Sequence, residues 1–261
     1  MTIRRGFVDT SFGQIHYLTD GVGEPLILLH QSPQSSEMFR PIIPLLAGER
    51  RVFALDTLGY GESDPPATKA TIPLYADAVA EAIAALGLAP VPVHGYHTGA
   101  AIAIDLAARY PASVSALILG GIPFFDEAER VQRLEALRTG RYGAPPIAAD
   151  GSHFQTLFSL FLTREGDAVE ATRAVIDRLR LGDRATAGFE AAFTDDLSAT
   201  LPAVRCPVLV LVGVEDEILS NTRRARAMLG HHRYVETTGG RRFRDTAEWW
   251  AREMLAFLRT V

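Results

Sequence analysis

Val91-Pro92-Val93-His94-Gly95-Tyr96-His97-Thr98-Gly99-Ala100-Ala101-Ile102-Ala103-Ile104 passes from a short apolar strand into a helix whose small residues permit close packing on a sheet. At the junction a histidine stands with a glycine two positions to either side. Glycines at that spacing let backbone and helix approach closely where the strand passes into the helix, with the histidine between them. An imidazole in such a place makes a base more naturally than a durable acyl carrier.

Outward from this turn, short apolar runs alternate with helical patterns, the signature of a mainly parallel α/β sheet covered on both faces. Pro25 to His30, Arg51 to Asp56, Val91 to Gly95 and Val114 to Leu119 each end in polar or glycine residues, at the carboxyl ends where open α/β sheets bind ligands. Pro207 to Val212 and His232 to Thr237 complete the set. Gly6 to Gly13 and Gln14 to Gly21 are half-polar and joined by a tight turn, which predicts an antiparallel hairpin leading into the sheet. Thr71 to Leu88 carries Val79, Ile83 and Leu86 at helical spacing. In the last helix Trp250, Met254, Phe257 and Leu258 share a face, with Asp245 and Glu248 placed as a capping box.

Between residues 124 and 201 the strand pattern stops. Helical segments follow at Glu127 to Leu137, His153 to Thr163, Ala168 to Leu181 and Ala185 to Phe193. The expected organisation is one domain, with a core of residues 1–123 and 202–261 and a helical lid at 124–201. Phe154, Leu157, Phe158, Phe161, Phe189 and Phe193 exceed what one modest face needs, as a lid over a pocket requires, although packing of the lid on itself accounts for most of the aromatics.

The 261 residues, 48% of them hydrophobic, provide ample core for such a domain. A net charge of −5 argues against nucleic acid or an anionic membrane as partner, because both demand a basic face. The start of the chain lacks an apolar leader and no run is long enough to span a membrane, so a cytoplasmic protein is expected. The lone Cys206 excludes an internal disulfide and a cysteine-based zinc site, and its place at the start of an apolar strand reads as core. Lys69 is the sole lysine among many arginines, the usage of a GC-rich, bacterial coding sequence. No dinucleotide glycine fingerprint or ligand cluster appears, so neither cofactor nor metal is implied; the expected partner is a small-molecule substrate, and oligomeric state is open.

Four segments, in order, carry a resemblance: His30-Gln31-Ser32-Pro33; Asp56-Thr57-Leu58-Gly59-Tyr60-Gly61-Glu62-Ser63-Asp64; Gly95-Tyr96-His97-Thr98-Gly99; and Val212-Gly213-Val214-Glu215-Asp216. They resemble, respectively, the HGxP oxyanion loop, the D-x-x-G-x-G-x-S segment, the G-x-S-x-G nucleophile elbow and the catalytic-acid loop of the α/β hydrolase superfamily, in particular its lidded esterases, haloalkane dehalogenases and related lyases. The likeness spans nearly the whole chain and implies the α/β hydrolase fold. Two departures bear on the reaction. His97 replaces the nucleophilic serine, and where the family has a Gly-His pair before its last helix this chain reads Thr238-Gly239-Gly240-Arg241-Arg242-Phe243. Arginine stays protonated and cannot be a general base. The implied catalytic set is therefore His97, Asp216 and Arg241, or Arg242 one residue on.

Placed at a helix amino end with an arginine nearby, His97 is expected to stay neutral near pH 7 and to accept a proton. Asp216 either pairs with the arginine or orients His97 directly, and Arg241 or Arg242 is a candidate to bind a carboxylate or enolate. The amides of Thr98 and Ser32 are the expected oxyanion donors, with the Gln31 side chain, Tyr96 and Asp126 as candidate pocket groups. His153, opening a lid helix, is either a second acid/base group or a surface residue. His30 and His94 read as core, and the His231-His232 pair as loop without a third metal ligand. The leading functional reading is non-covalent acid/base chemistry at a polarised carbonyl: proton abstraction, elimination, decarboxylation, cyclisation or carbon–carbon cleavage. The alternatives are an ester or lactone hydrolase using water activated by His97, and a binding protein that kept the pocket without turnover.

Overall fold

In the computed structural model, which describes residues 2–140, 142, 145, 147–237 and 243–261, the apolar runs form one sheet. Its strands are β1 (Arg4–Thr10), β2 (Gly13–Asp20), β3 (Pro25–Leu29), β4 (Arg51–Leu55), β5 (Val91–Tyr96), β6 (Val114–Gly120), β7 (Val208–Gly213) and β8 (His232–Thr237). Their spatial order is β1-β2-β4-β3-β5-β6-β7-β8. β1 and β2 form the predicted antiparallel hairpin, β2 joins β4 antiparallel, and all remaining pairs are parallel. This is the α/β hydrolase fold that the four segments implied.

Both faces of the central strands are buried, which is why they read as unbroken apolar runs rather than as alternation. Ile27, Leu29, Phe53, Leu55, Leu117 and Leu119 point into one core, and Leu26, Leu28, Val52, Ala54, Ala116 and Ile118 into the other. Against the first lie α2 (Ile72–Ala85) and α3 (Thr98–Arg109); against the second lie α1 (Ile43–Leu46) and α10 (Ala247–Leu258). Thr71 caps α2 by accepting the Leu74 amide at 3.2 Å. α10 begins with Thr246, not Asp245, at its N-cap position, so the capping box expected from Asp245 and Glu248 is not how that helix starts.

Between β6 and β7 the chain is helical as predicted: α4 (Glu127–Arg138), α5 (Ser152–Glu165), α6 (Ala168–Leu181), α7 (Ala187–Thr194) and the short α8 (Leu197–Thr200). The aromatics of this insertion divide. Leu157 and Phe161 on α5 pack with Ala171, Ala174 and Val175 on α6 in a small separate cluster, whereas Phe193 is buried in the main core and Phe189 packs against it. Phe154 is exposed. A last short helix, α9 (Leu219–Ala225), follows the loop after β7. Cys206 is half-buried, and burial pushes its thiol up to about 11, too high for a reactive thiolate at neutral pH.

Candidate active site

β5 delivers His97 to the carboxyl end of the sheet on a bend that only close backbone packing sustains. A side-chain carbon at Gly95 would overlap the Gly99 carbonyl, and one at Gly99 would overlap the Leu29 carbonyl of β3. His97 has φ 49° and is the sole non-glycine residue with positive φ among the described residues. Such strain persists where surrounding contacts over-determine it, and it clusters at functional sites. The His97 amide donates to the Gly120 carbonyl at 2.8 Å, fixing the turn to the neighbouring strand.

Asp216 follows β7, and β6 lies between β5 and β7. The two side chains meet because β6 ends in Gly120 and is followed by Gly121: a side chain at the first would strike the Tyr96 ring, and one at the second would strike the His97 ring. Across this gap His97 Nε2 lies 2.9 Å from Asp216 Oδ2 and 3.2 Å from Oδ1. The Tyr96 hydroxyl donates to Oδ2 at 3.0 Å, and the Ile218 amide donates to Oδ1 at 2.9 Å. The Tyr96 and His97 rings stack at 4.5 Å between centroids. The sequence left open whether Asp216 pairs with an arginine or with His97; its carboxylate is on His97.

This geometry sets the ring chemistry. A carboxylate accepts hydrogen bonds, so Nε2 carries the proton and the neutral ring keeps its lone pair on Nδ1. The Nε2–Cδ2 edge lies against Gly121, and 18% of the side chain remains exposed. Burial pulls the imidazole pKa down, but the charge and hydrogen bond of Asp216, helped by Glu217, outweigh it and the opposing charge of Arg133, so the net shift is upward. The downward shift expected from the helix terminus and a nearby arginine is thus corrected in direction, because a carboxylate in contact outweighs a partial helix charge. Burial works against the charge on Asp216 too, yet His97, the Ile218 amide and the Tyr96 hydroxyl hold its carboxyl below the usual range.

Thr98 and Ser32 are buried beside one another, the Ser32 amide reaching the Thr98 hydroxyl at 3.4 Å. The Gln31 side chain bonds instead to Gln34 at 2.8 Å. His153 is buried in its own turn, where Nδ1 accepts the Ala148 amide at 3.2 Å and the ring packs on Phe154, so the surface placement does not hold. Asp126 caps α4 in a reciprocal box with Glu129. Arg241 and Arg242 lie outside the described residues. His30 is core as expected, with Nε2 accepting the Thr57 amide at 3.0 Å, and His94 bonds the Ile118 carbonyl at 3.0 Å, burial pushing its pKa down to about 4.

Three features escaped the sequence. Asp56 forms a buried pair with His16 at 2.8 Å and accepts the Ser36 amide at 2.6 Å, tying the D-x-x-G-x-G-x-S segment to β2 and to the Ser32 loop. The Tyr60 hydroxyl accepts the Gly188 amide of α7 at 2.7 Å, so the insertion is bonded to that segment. Arg133 on α4 stands within electrostatic reach of His97. Each links residues far apart in the chain, and no local spacing announces it.

A sequence profile described as alpha/beta hydrolase fold matches residues 24–242. The chain is 28% identical over 207 residues, 77% of its length and 76% of the other, to an Acinetobacter baylyi protein named (E)-2-((N-methylformamido)methylene)succinate hydrolase. It is 36% identical over 158 residues to a haloalkane dehalogenase of Agrobacterium fabrum, a match covering 58% of this chain and 52% of that one. Among solved structures, the enol-lactonase from Burkholderia xenovorans superposes with a TM-score of 0.80 at 20% identity, covering 97% of this chain and all (100%) of the other. The structure titled E-2-(Acetamidomethylene)succinate Hydrolase superposes at 0.78, also at 20% identity, covering 99% and 100%.

Proposed function

Since this chain belongs to the α/β hydrolase fold family and is an enzyme of that superfamily, we propose that His97, oriented by Asp216, is its general base, acting without an acyl-enzyme on a small carbonyl-bearing organic substrate. The observation that supports this best is the pairing of Nε2 with Asp216 at 2.9 Å, which commits one ring nitrogen and leaves the other to take a proton.

In this reading Nδ1 removes a proton from the substrate, from carbon or from a hydroxyl. The electron pair moves toward the carbonyl oxygen, and the Thr98 and Ser32 amides stabilise the charge that develops there. The long 3.4 Å contact of the Ser32 amide is one a substrate oxygen can displace. Asp216 stabilises the imidazolium, which then returns the proton at the position that completes elimination, decarboxylation, cyclisation or carbon–carbon cleavage. Arg241 or Arg242 is proposed, on sequence position alone, to hold an anionic part of the substrate. The helices between β6 and β7 are proposed as a lid, the Tyr60–Gly188 and Ser35–Asp177 contacts fastening them beside the Ser32 loop.

A second reading, favoured by the hydrolase names of the relatives, has the same base deprotonate water for attack on an ester, lactone or amide-like carbonyl. Screening small esters, lactones and oxo acids with wild type and the His97→Gln variant tests both. Turnover should vanish in the variant with its melting temperature within a few degrees of wild type; undiminished turnover would remove His97 from the mechanism. Running the reaction in oxygen-18 water separates the two, because only hydrolysis places solvent oxygen in the product.

A further inference from the structure

On α4, Arg133 is a cation without an acid among the described residues. Its guanidinium carbon lies 4.0 Å from the centroid of the Phe125 ring and 5.5 Å from that of Phe193. On a helix its natural partner is Glu129, four residues earlier. Glu129 is turned away, bonded to Arg224 and at 3.1 Å to Asn221, and it also closes the capping box on the Asp126 amide. Asp126 is used in the same box, Glu135 pairs with Arg138, and the neighbouring Arg130 takes Asp196. Among the described residues no carboxylate reaches Arg133. It is half-buried, where an uncompensated charge costs more than it does in open solvent.

The position of this charge is not arbitrary. Phe125 stands four residues after Gly121, against which the His97 ring packs, and Phe193 belongs to α7, the helix bonded through Gly188 to Tyr60. A guanidinium held over aromatic rings uses none of its N–H donors on them, so the fork that matches a carboxylate is still there to be taken. The charge is also felt at His97, where it opposes protonation.

We infer that Arg133 binds a carboxylate of the substrate opposite His97, which makes the site selective for small organic acids. The inference rests on the reading of His97 as the base and deepens it by naming the substrate class. It has a mechanistic consequence. The charged and titratable groups acting on His97 are Asp216, Glu217, Tyr96 and Arg133. A bound carboxylate offsets the last of these, so the imidazole holds a proton more firmly when an acid occupies the site than when the site is empty.

The test needs no knowledge of the natural substrate. Benzoate and its neutral isostere benzamide are titrated into wild type, Arg133→Met, Arg133→Lys and, as a second removal of charge, Arg133→Gln, with binding measured by calorimetry and the His97 ring followed by NMR across pH. The expected result is benzoate at least 10-fold tighter than benzamide in wild type, an upward shift of the His97 titration with benzoate only, loss of at least 10-fold in Arg133→Met and Arg133→Gln, and partial recovery in Arg133→Lys. Equal benzoate affinity in wild type and the charge-removed variants, or no preference for benzoate in wild type, overturns the inference. His97→Gln keeps the benzoate preference while losing turnover if both readings hold. Retained turnover in that variant sinks the base alone, and retained benzoate binding without Arg133 sinks the carboxylate site alone.

Discussion

His97 Nε2 and Asp216 Oδ2 lie 2.9 Å apart across the glycine-ended strand β6. The pair fixes both the tautomer and the proton affinity of the ring. Because Asp216 drives the net upward shift, wild-type turnover falls as pH drops through a value above the ordinary imidazole pKa of 6.5. Asp216→Asn removes the anion, so the His97 pKa falls and the acid limb moves to lower pH. The rate at the optimum falls at the same time, by about 10²- to 10⁴-fold, because the imidazolium loses its stabilising charge and the ring its enforced tautomer. A pH profile of kcat/KM for both proteins checks this; an acid limb that stays in place in Asp216→Asn contradicts it.

Gly121 has φ +60°, and a side-chain carbon there would overlap the His97 ring. Gly121→Ala therefore both strains the backbone, by about 1 kcal/mol or more, and pushes the imidazole off Asp216. Gly140→Ala is the matched control, since Gly140 also has positive φ, +84°, and no atom of the described residues lies within 4 Å of the added carbon. Both variants should melt a few degrees lower, and only Gly121→Ala should lose turnover, by more than 10-fold. Melting curves and initial rates on the same preparations decide it.

The parallel strands were legible because burial on both faces imprints a continuous apolar run, and the elbow because glycines must stand where β5 meets α3 and β3. The His97–Asp216 contact was half legible: topology places both residues at carboxyl strand ends, but which partner Asp216 takes depends on the width of the gap that Gly120 and Gly121 leave. The direction of the His97 shift was misread, since sequence displays the helix terminus next in the chain and hides the carboxylate 119 residues away. Gln31, Asp126 and His153 looked available and are instead spent on their own turns, as short-range bonding by such residues commonly is. Arg133 stands out only when Glu129 is seen to pair elsewhere.

Tyr60 joins the core to the insertion through one hydroxyl, which accepts the Gly188 amide at 2.7 Å and adjoins the hydroxyls of Ser32 and Tyr75. Tyr60→Phe leaves that buried amide without an acceptor, at a cost of about 1–3 kcal/mol. The loss is local, so hydrogen exchange should quicken at Gly188 and along α7 while the central strands keep wild-type protection. Unchanged exchange at Gly188 would show that the contact does not hold α7 in place.

Asp177 on α6 accepts the Ser35 hydroxyl at 3.0 Å, and its carboxyl is pushed up to about 6, chiefly by burial, with Asp56 and Glu37 adding repulsion and the Ser35 bond and Arg180 opposing it. The folded pKa lies above the unfolded value of 3.8, so the fold binds this proton more tightly than the unfolded chain does. The stability this carboxyl lends is complete below about pH 4 and is lost as pH rises through about 6, where the ionised group becomes a burden on the α6 attachment. Asp177→Asn keeps an acceptor for Ser35 and carries no charge. Its melting temperature should therefore exceed that of wild type at pH 7.5, with the difference shrinking as pH falls from about 6 to about 4. A difference that is constant across that range, or of opposite sign at pH 7.5, would show that the carboxylate is accommodated without penalty.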